Sequence, residues 1–98
     1  MINCLFCKLN TSRYKCQSCK VNYYYYLDED ILSSYNIVYN DGNKTYYATF
    51  YVHLNRFHLD YLSLGKINKW HSVLELDYLP DITPDNIHIK IKTLLTFL

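Results

Sequence analysis

Cys4-Leu5-Phe6-Cys7 and Cys16-Gln17-Ser18-Cys19 are the two stretches on which the reading of this chain turns. Two C-x-x-C pairs present four thiolates, Cys4, Cys7, Cys16 and Cys19, a donor set suited to one tetrahedral zinc ion. Eight residues lie between Cys7 and Cys16, enough for the chain to fold back and bring both pairs onto one ion. Asn10-Thr11-Ser12 favours a turn through local side-chain bonding, so the reversal is expected there. A site closed by four sulfurs leaves no open position for water or substrate, so zinc would serve as scaffold or staple and not as catalyst. Disulfides are the alternative, with three possible pairings.

The 98 residues are expected to form one domain, 1–98, with a metal-bearing part over 1–27 and a sheet with a helix over 28–98. A chain of this size buries roughly 60–68% of its unfolded surface, which makes a core but leaves little margin. Twelve tyrosines accompany abundant Asn, Ile, Leu and Lys and little Arg, Gly or Pro. Most of that excess is the bias of an AT-rich genome combined with strand propensity. Net charge is +1, yet residues 1–20 carry Lys8, Arg13, Lys15 and Lys20 without an acid, which leaves −3 for the remainder. Four thiolates on Zn²⁺ would return −2 to the basic end, so nucleic acid is allowed and not demanded. The first cysteine stands too early for a leader peptide, and the longest apolar run, Tyr23 to Leu27, falls far short of the roughly 20 residues of a membrane span. A soluble protein of a reduced, cytoplasmic compartment is the expectation, where paired thiols favour metal over disulfides.

Val21 to Leu27 reads as a strand leaving the second cysteine pair. Tyr35, Ile37 and Tyr39 alternate with other residues up to Asn40-Asp41-Gly42-Asn43, the strongest hairpin signal in the chain. On the return strand Tyr46, Ala48, Phe50, Val52 and Leu54 occupy one face, and Thr45, Tyr47, Thr49, Tyr51 and His53 the other. A further strand carries Phe57, Leu59 and Tyr61 as far as Gly65. Beyond a loop, Trp70, Ser72, Leu74, Leu76 and Tyr78 share a face opposite His71, Val73, Glu75 and Asp77. Thr83-Pro84-Asp85-Asn86 carries helix-start signals, with Thr83 as N-cap and Pro84 in the first helical position. Ile87, Ile91, Leu94, Leu95 and Leu98 then form one apolar stripe at 100° per residue, although residues 87–92 also alternate as a strand would.

With both knuckles in view, the first 27 residues resemble the zinc-ribbon group, in which two C-x-x-C knuckles on adjoining hairpins hold one zinc. Lys8 and Lys20 stand where that group commonly has Gly. The fold expected is α+β, mostly β: an N-terminal zinc ribbon, an antiparallel meander of four or five strands and a C-terminal α-helix. The layout as a whole resembles small accessory proteins of tailed phages and other large DNA viruses, which implies a binding role, in the host cytoplasm if viral.

Among functions, a non-enzymatic, zinc-stabilised protein that binds another protein comes first, with Tyr47, Tyr51 and His53 as the interaction face. The alternative is a transcription-type ribbon touching nucleic acid through Lys8, Arg13, Tyr14, Lys15 and Lys20. A metal-dependent hydrolase built from His53, His58, Asp60, His71, Glu75 and Asp77 is the third reading, and it requires those groups to converge. Neither a phosphate-cradling loop nor H-E-x-x-H occurs, and no small-molecule substrate is implied.

Overall fold

The computed structural model describes residues 2–27, 30–63 and 67–97. The elements run β1 (Ile2–Asn3), β2 (Asn10–Thr11), β3 (Lys15–Cys16), β4 (Val21–Tyr25), β5 (Leu32–Asn40), β6 (Lys44–Tyr51), β7 (Arg56–Ser63), β8 (Lys69–Leu76) and α1 (Ile87–Thr96). β1 and β2 form a two-stranded sheet, and β3 to β8 form a six-stranded antiparallel sheet whose spatial order is the chain order. The α+β, mostly β expectation therefore holds.

The hairpin signal sets the sheet's register. Asp41 Oδ1 accepts the N–H groups of Asn43 (2.9 Å) and Lys44 (2.8 Å), Asn40 Oδ1 accepts that of Gly42 (2.7 Å), and Gly42 takes a φ of 98°, which a side chain would resist. The turn pairs Asn40 with Thr45, and the ladder continues to Ser34 and Tyr51. Because the side-chain period is two, that register sends Tyr46, Ala48 and Phe50 of β6 to one face together with Val21, Tyr23, Ile37, Phe57 and Leu59. All eight are buried. The large apolar members stabilise the fold by roughly 1.5–3 kcal/mol each.

α1 covers this face: Ile82 in the connector and Ile87 and Ile91 in the helix join the same core cluster, with Leu94 and Leu95 packed against it. The apolar stripe read from the sequence is the buried one; Leu98 lies outside the described residues. The helix proper starts at Ile87 with Asn86 as its N-cap and no side-chain cap bond, so Thr83 is not the N-cap and Pro84 not the first helical residue; the two polar side chains instead close the turn that leads into the helix. Thr83 Oγ1 accepts the N–H of Asn86 (3.3 Å) and Asn86 Oδ1 accepts that of Thr83 (2.7 Å), a reciprocal box closed across Pro84 and Asp85.

Four local expectations are corrected. Asn10-Thr11 is not a turn but strand β2, so each cysteine knuckle is itself a hairpin tip and the reversal between them falls on residues 12–14. β4 stops at Tyr25, short of Leu27, and Asp28 and Glu29 lie outside the described residues. β6 ends at Tyr51 and residues 52–55 turn, which leaves Leu54 exposed and removes His53 from the sheet face. Finally, Leu59 pairs with Leu74 while Asp60 pairs with Ser72, so Val73 is an extra residue in β8. This bulge inverts the alternation: Leu74 and Leu76 face the core, whereas Trp70 lies on the opposite face against Tyr47, with ring centroids 4.7 Å apart. Gly65, read as the end of β7, lies outside the described residues.

Candidate metal centre

Each knuckle closes through the same backbone contact four residues apart: Lys8 N–H donates to the Cys4 carbonyl (3.2 Å) and Lys20 N–H to that of Cys16 (2.8 Å). This turn forces the residue after the second cysteine into the left-handed region, and Lys8 and Lys20 have φ of 63° and 60°. For a residue with a Cβ that conformation costs about 1–2 kcal/mol, which explains why Gly is common there and why these two lysines are a departure in chemistry but not in shape.

The four cysteine Sγ atoms all lie within 4.8 Å of one another, and none of the four is in a disulfide. A tetrahedron of sulfurs about 2.3 Å from a central ion has edges of about 3.8 Å. The Cys7–Cys16 sulfur separation is 3.7 Å. Cys4 and Cys16 are 1% and 2% exposed and belong to the main core cluster, while Cys7 and Cys19 are half-buried. The donor set therefore fits one metal ion, held by Cys4, Cys7, Cys16 and Cys19. Among the described residues no other group of three or more His, Cys, Asp or Glu side chains is so placed.

A supporting shell surrounds the sulfurs. Tyr23, buried at the centre of β4, brings its hydroxyl within hydrogen-bond reach of Cys4 Sγ at 3.1 Å and accepts the Leu5 N–H at 3.2 Å; toward a thiolate the hydroxyl is the donor. The Phe6 N–H also points to that sulfur at 3.5 Å. Burial by itself would raise the Cys4 thiol, but the Tyr23 hydroxyl and the backbone N–H groups of Cys7 and Phe6 outweigh it and bring its pKa down to about 6. Cys19 goes the other way, raised by burial and by its three neighbouring sulfurs, and Tyr23 is raised by burial and by Cys4. Crowding thus drives these two thiols apart, Cys4 ionising readily while Cys19 resists.

The first knuckle is tied to the meander by rings. Phe6, between the first two cysteines, meets Tyr35 edge-on at 5.9 Å, Tyr35 stacks on Phe50 at 4.7 Å, and Phe50 leans on Phe57 at 5.0 Å. The site and the sheet core are thus one packed body, and Tyr23, Tyr35 and Tyr46 serve packing instead of a binding face.

The remaining candidates separate. Lys15 and Lys20 converge with Asn22, Val38 and Tyr47 around an open pocket of about 270 Å³ on the outer sheet face. Arg13 is engaged elsewhere, bonded to Asp30 at 2.6 Å with its guanidinium 4.6 Å above the Tyr25 ring; Tyr14 is exposed beside it, and Lys8 Nζ donates to the Leu5 carbonyl at 2.9 Å. Tyr47 and Tyr51 do share the outer face, each against a neighbouring ring, Trp70 and His58 respectively, but His53 contacts Tyr26 from the 52–55 turn. The six groups of the hydrolase reading do not converge. His58 and Glu75 approach to 3.7 Å on the outer face, whereas His71 stacks on Tyr61 on the core side and Asp77 follows the end of β8.

Sequence reasoning overlooked Tyr23 as a partner of the site and Trp70 as an outer-face residue. No local signal marks the first, since its contact spans 19 positions. No helix among the described residues is long and apolar enough to cross a membrane. No family model matches the chain, and no curated protein or solved structure matches it significantly. Fold and site together define a class: a small, mostly-β protein in which four clustered cysteines could hold a metal ion beside an antiparallel meander.

Proposed function

We propose that the four thiolates hold one structural zinc ion and that the protein is a non-enzymatic binding module, its metal-fixed sheet presenting the outer face to a protein partner. The observation that carries the reading is the split between the two faces. α1 covers one, while the other keeps Trp70 56% and Tyr24 48% exposed among half-buried Tyr47, Tyr51 and Val38. Aromatic residues are enriched where proteins meet, and an all-thiolate site leaves the metal no free position for chemistry. On the resemblance to phage and large-virus accessory proteins, the partner would belong to a host or viral complex. The nucleic-acid reading is weaker, because Asp60 and Glu75 share the outer face with Lys15 and Lys20, and Arg13 is already paired with Asp30.

Native mass measurement before and after chelation tests the metal, with one zinc per chain expected; a folded protein without metal would overturn it. A photo-crosslinking residue at Tyr47 tests the face. Protein adducts are expected there and not from the same residue at Ile89, which is exposed on α1. Retardation of single-stranded DNA or RNA at low salt, lost on Tyr47→Ala, would replace the protein partner by nucleic acid.

A further inference from the structure

We propose that the partner of the outer face is a second copy of this chain, packed sheet against sheet about a two-fold axis that runs along the strands between β5 and β6. This rests on the protein-binding reading of that face and names its occupant.

Side chains follow a charge order across the outer face of the sheet. Following the pairing from β3 to β8, one outward row reads Lys15, Asn22, Asn36, Thr49, His58, Glu75. A cation stands at one edge and an anion at the other, on the same row. A two-fold axis parallel to the strands and midway across this row reverses it, so Lys15 of each copy lies over Glu75 of its mate, Asn22 over His58 and Asn36 over Thr49. The next row obeys the same symmetry. Lys20 leads into β4 and gathers with Val38 and Tyr47, while Asp60 occupies the matching place on β7. The rotation therefore sets Lys20 over Asp60 and Val38 over Tyr47. In a third row, Tyr24 on β4 and Arg56 on β7 exchange places, a cation over an exposed ring.

A surface that is its own complement under one rotation is what an isologous interface requires. The other face-to-face arrangement, with the axis across the strands, would set lysine edge on lysine edge, so the charges select one orientation. Packed sheets lie about 10 Å apart and about 30° off parallel, which displaces edge residues by about 6 Å, within reach of Lys and Glu side chains. β4 has five residues and β5 to β8 eight or nine, so at a strand spacing of about 4.8 Å they present a footprint of roughly 600 Å², the lower end of what a stable interface buries per partner. Competing occupants fit less well: single-stranded nucleic acid would meet Asp60 and Glu75, and the bulge at Val73 disfavours pairing through the β8 edge.

Sedimentation equilibrium of the full, zinc-loaded chain in about 0.15 M salt tests the proposal, with a dimer expected at micromolar concentration. Lys15→Glu and Glu75→Lys should each weaken the dimer by roughly tenfold, and the double variant should recover it. The two single variants, mixed, should prefer the mixed dimer, because both of its edge contacts then join opposite charges. Both changed side chains are exposed, and circular dichroism of each variant serves as the check that it is folded. A chain that stays monomeric throughout, or single variants that dimerise as well as the parent, would overturn the proposal. A monomer whose Tyr47 position still cross-links a foreign protein overturns the self-association alone, and one whose outer face takes nucleic acid overturns both readings.

Discussion

Tyr23 is the residue on which metal site and sheet depend jointly. Its hydroxyl hydrogen-bonds with Cys4 Sγ and accepts from Leu5 N–H, and its ring packs within the core of the meander. Partners of this kind fix ligand geometry, and their loss commonly weakens metal binding by about 10–100-fold. Tyr23→Phe should do so in a chelator competition, while Tyr35→Phe, whose ring only stacks, should leave affinity unchanged. The Cys4 thiol, lowered from its ordinary 9.0 to about 6, also gives a pH dependence. A depressed pKa stabilises the folded site fully above the ordinary value, and that contribution is lost as pH falls through about 6. That window is the metal-free cluster's; with zinc bound, protons and metal compete for the same sulfurs, so release followed with a chromogenic chelator should begin below it and rise as pH falls. Release that does not depend on pH anywhere in the acid range would contradict thiolate ligation. At this scale the ligands were legible because C-x-x-C spacing is local, whereas Tyr23 was one tyrosine among twelve.

At the scale of elements, signals carried by contiguous residues survived into the structure. Asn40-Asp41-Gly42-Asn43 makes the hairpin its chemistry demands, and the apolar stripe of α1 is buried. The reciprocal Thr83–Asn86 bonds close the turn that leads into that helix, and losing either should cost about 1 kcal/mol in denaturant unfolding. Thr83→Ala and Asn86→Ala together should cost less than the sum of the two, since both open the same box. Where the reading failed, an unbroken period had been assumed. One extra residue, Val73, inverts the faces of β8 on its N-terminal side, and the end of β6 at Tyr51 takes His53 out of the row it was given. A bulge arises from pairing with the neighbouring strand, so nothing in the sequence of β8 announces it.

For the molecule as a whole, Cys4 and Cys16 sit in the same buried cluster as Phe50, Leu59 and Ile91. Metal binding and core formation should then be one event. Structural zinc can contribute of the order of 10 kcal/mol, comparable with the entire net stability of a small domain. Chelation is therefore expected to abolish the near-ultraviolet dichroism of the tyrosines in a single transition that includes α1. Survival of β5 to β8 and the helix after chelation, followed by amide exchange, would instead divide the cysteine-bearing end from the meander.

The amino-acid sequence by itself determined the four-cysteine set, the hairpin at Gly42 and the amphipathic helix, because each is written in residues a few positions apart. Only the tertiary structure decided which face α1 covers, that Tyr23 reaches Cys4, and that Lys15 and Glu75 end on one row at opposite edges of the outer face. Those depend on register summed across six strands and on a single bulge. Pairing energy between distant segments chooses both, and no local propensity encodes that choice.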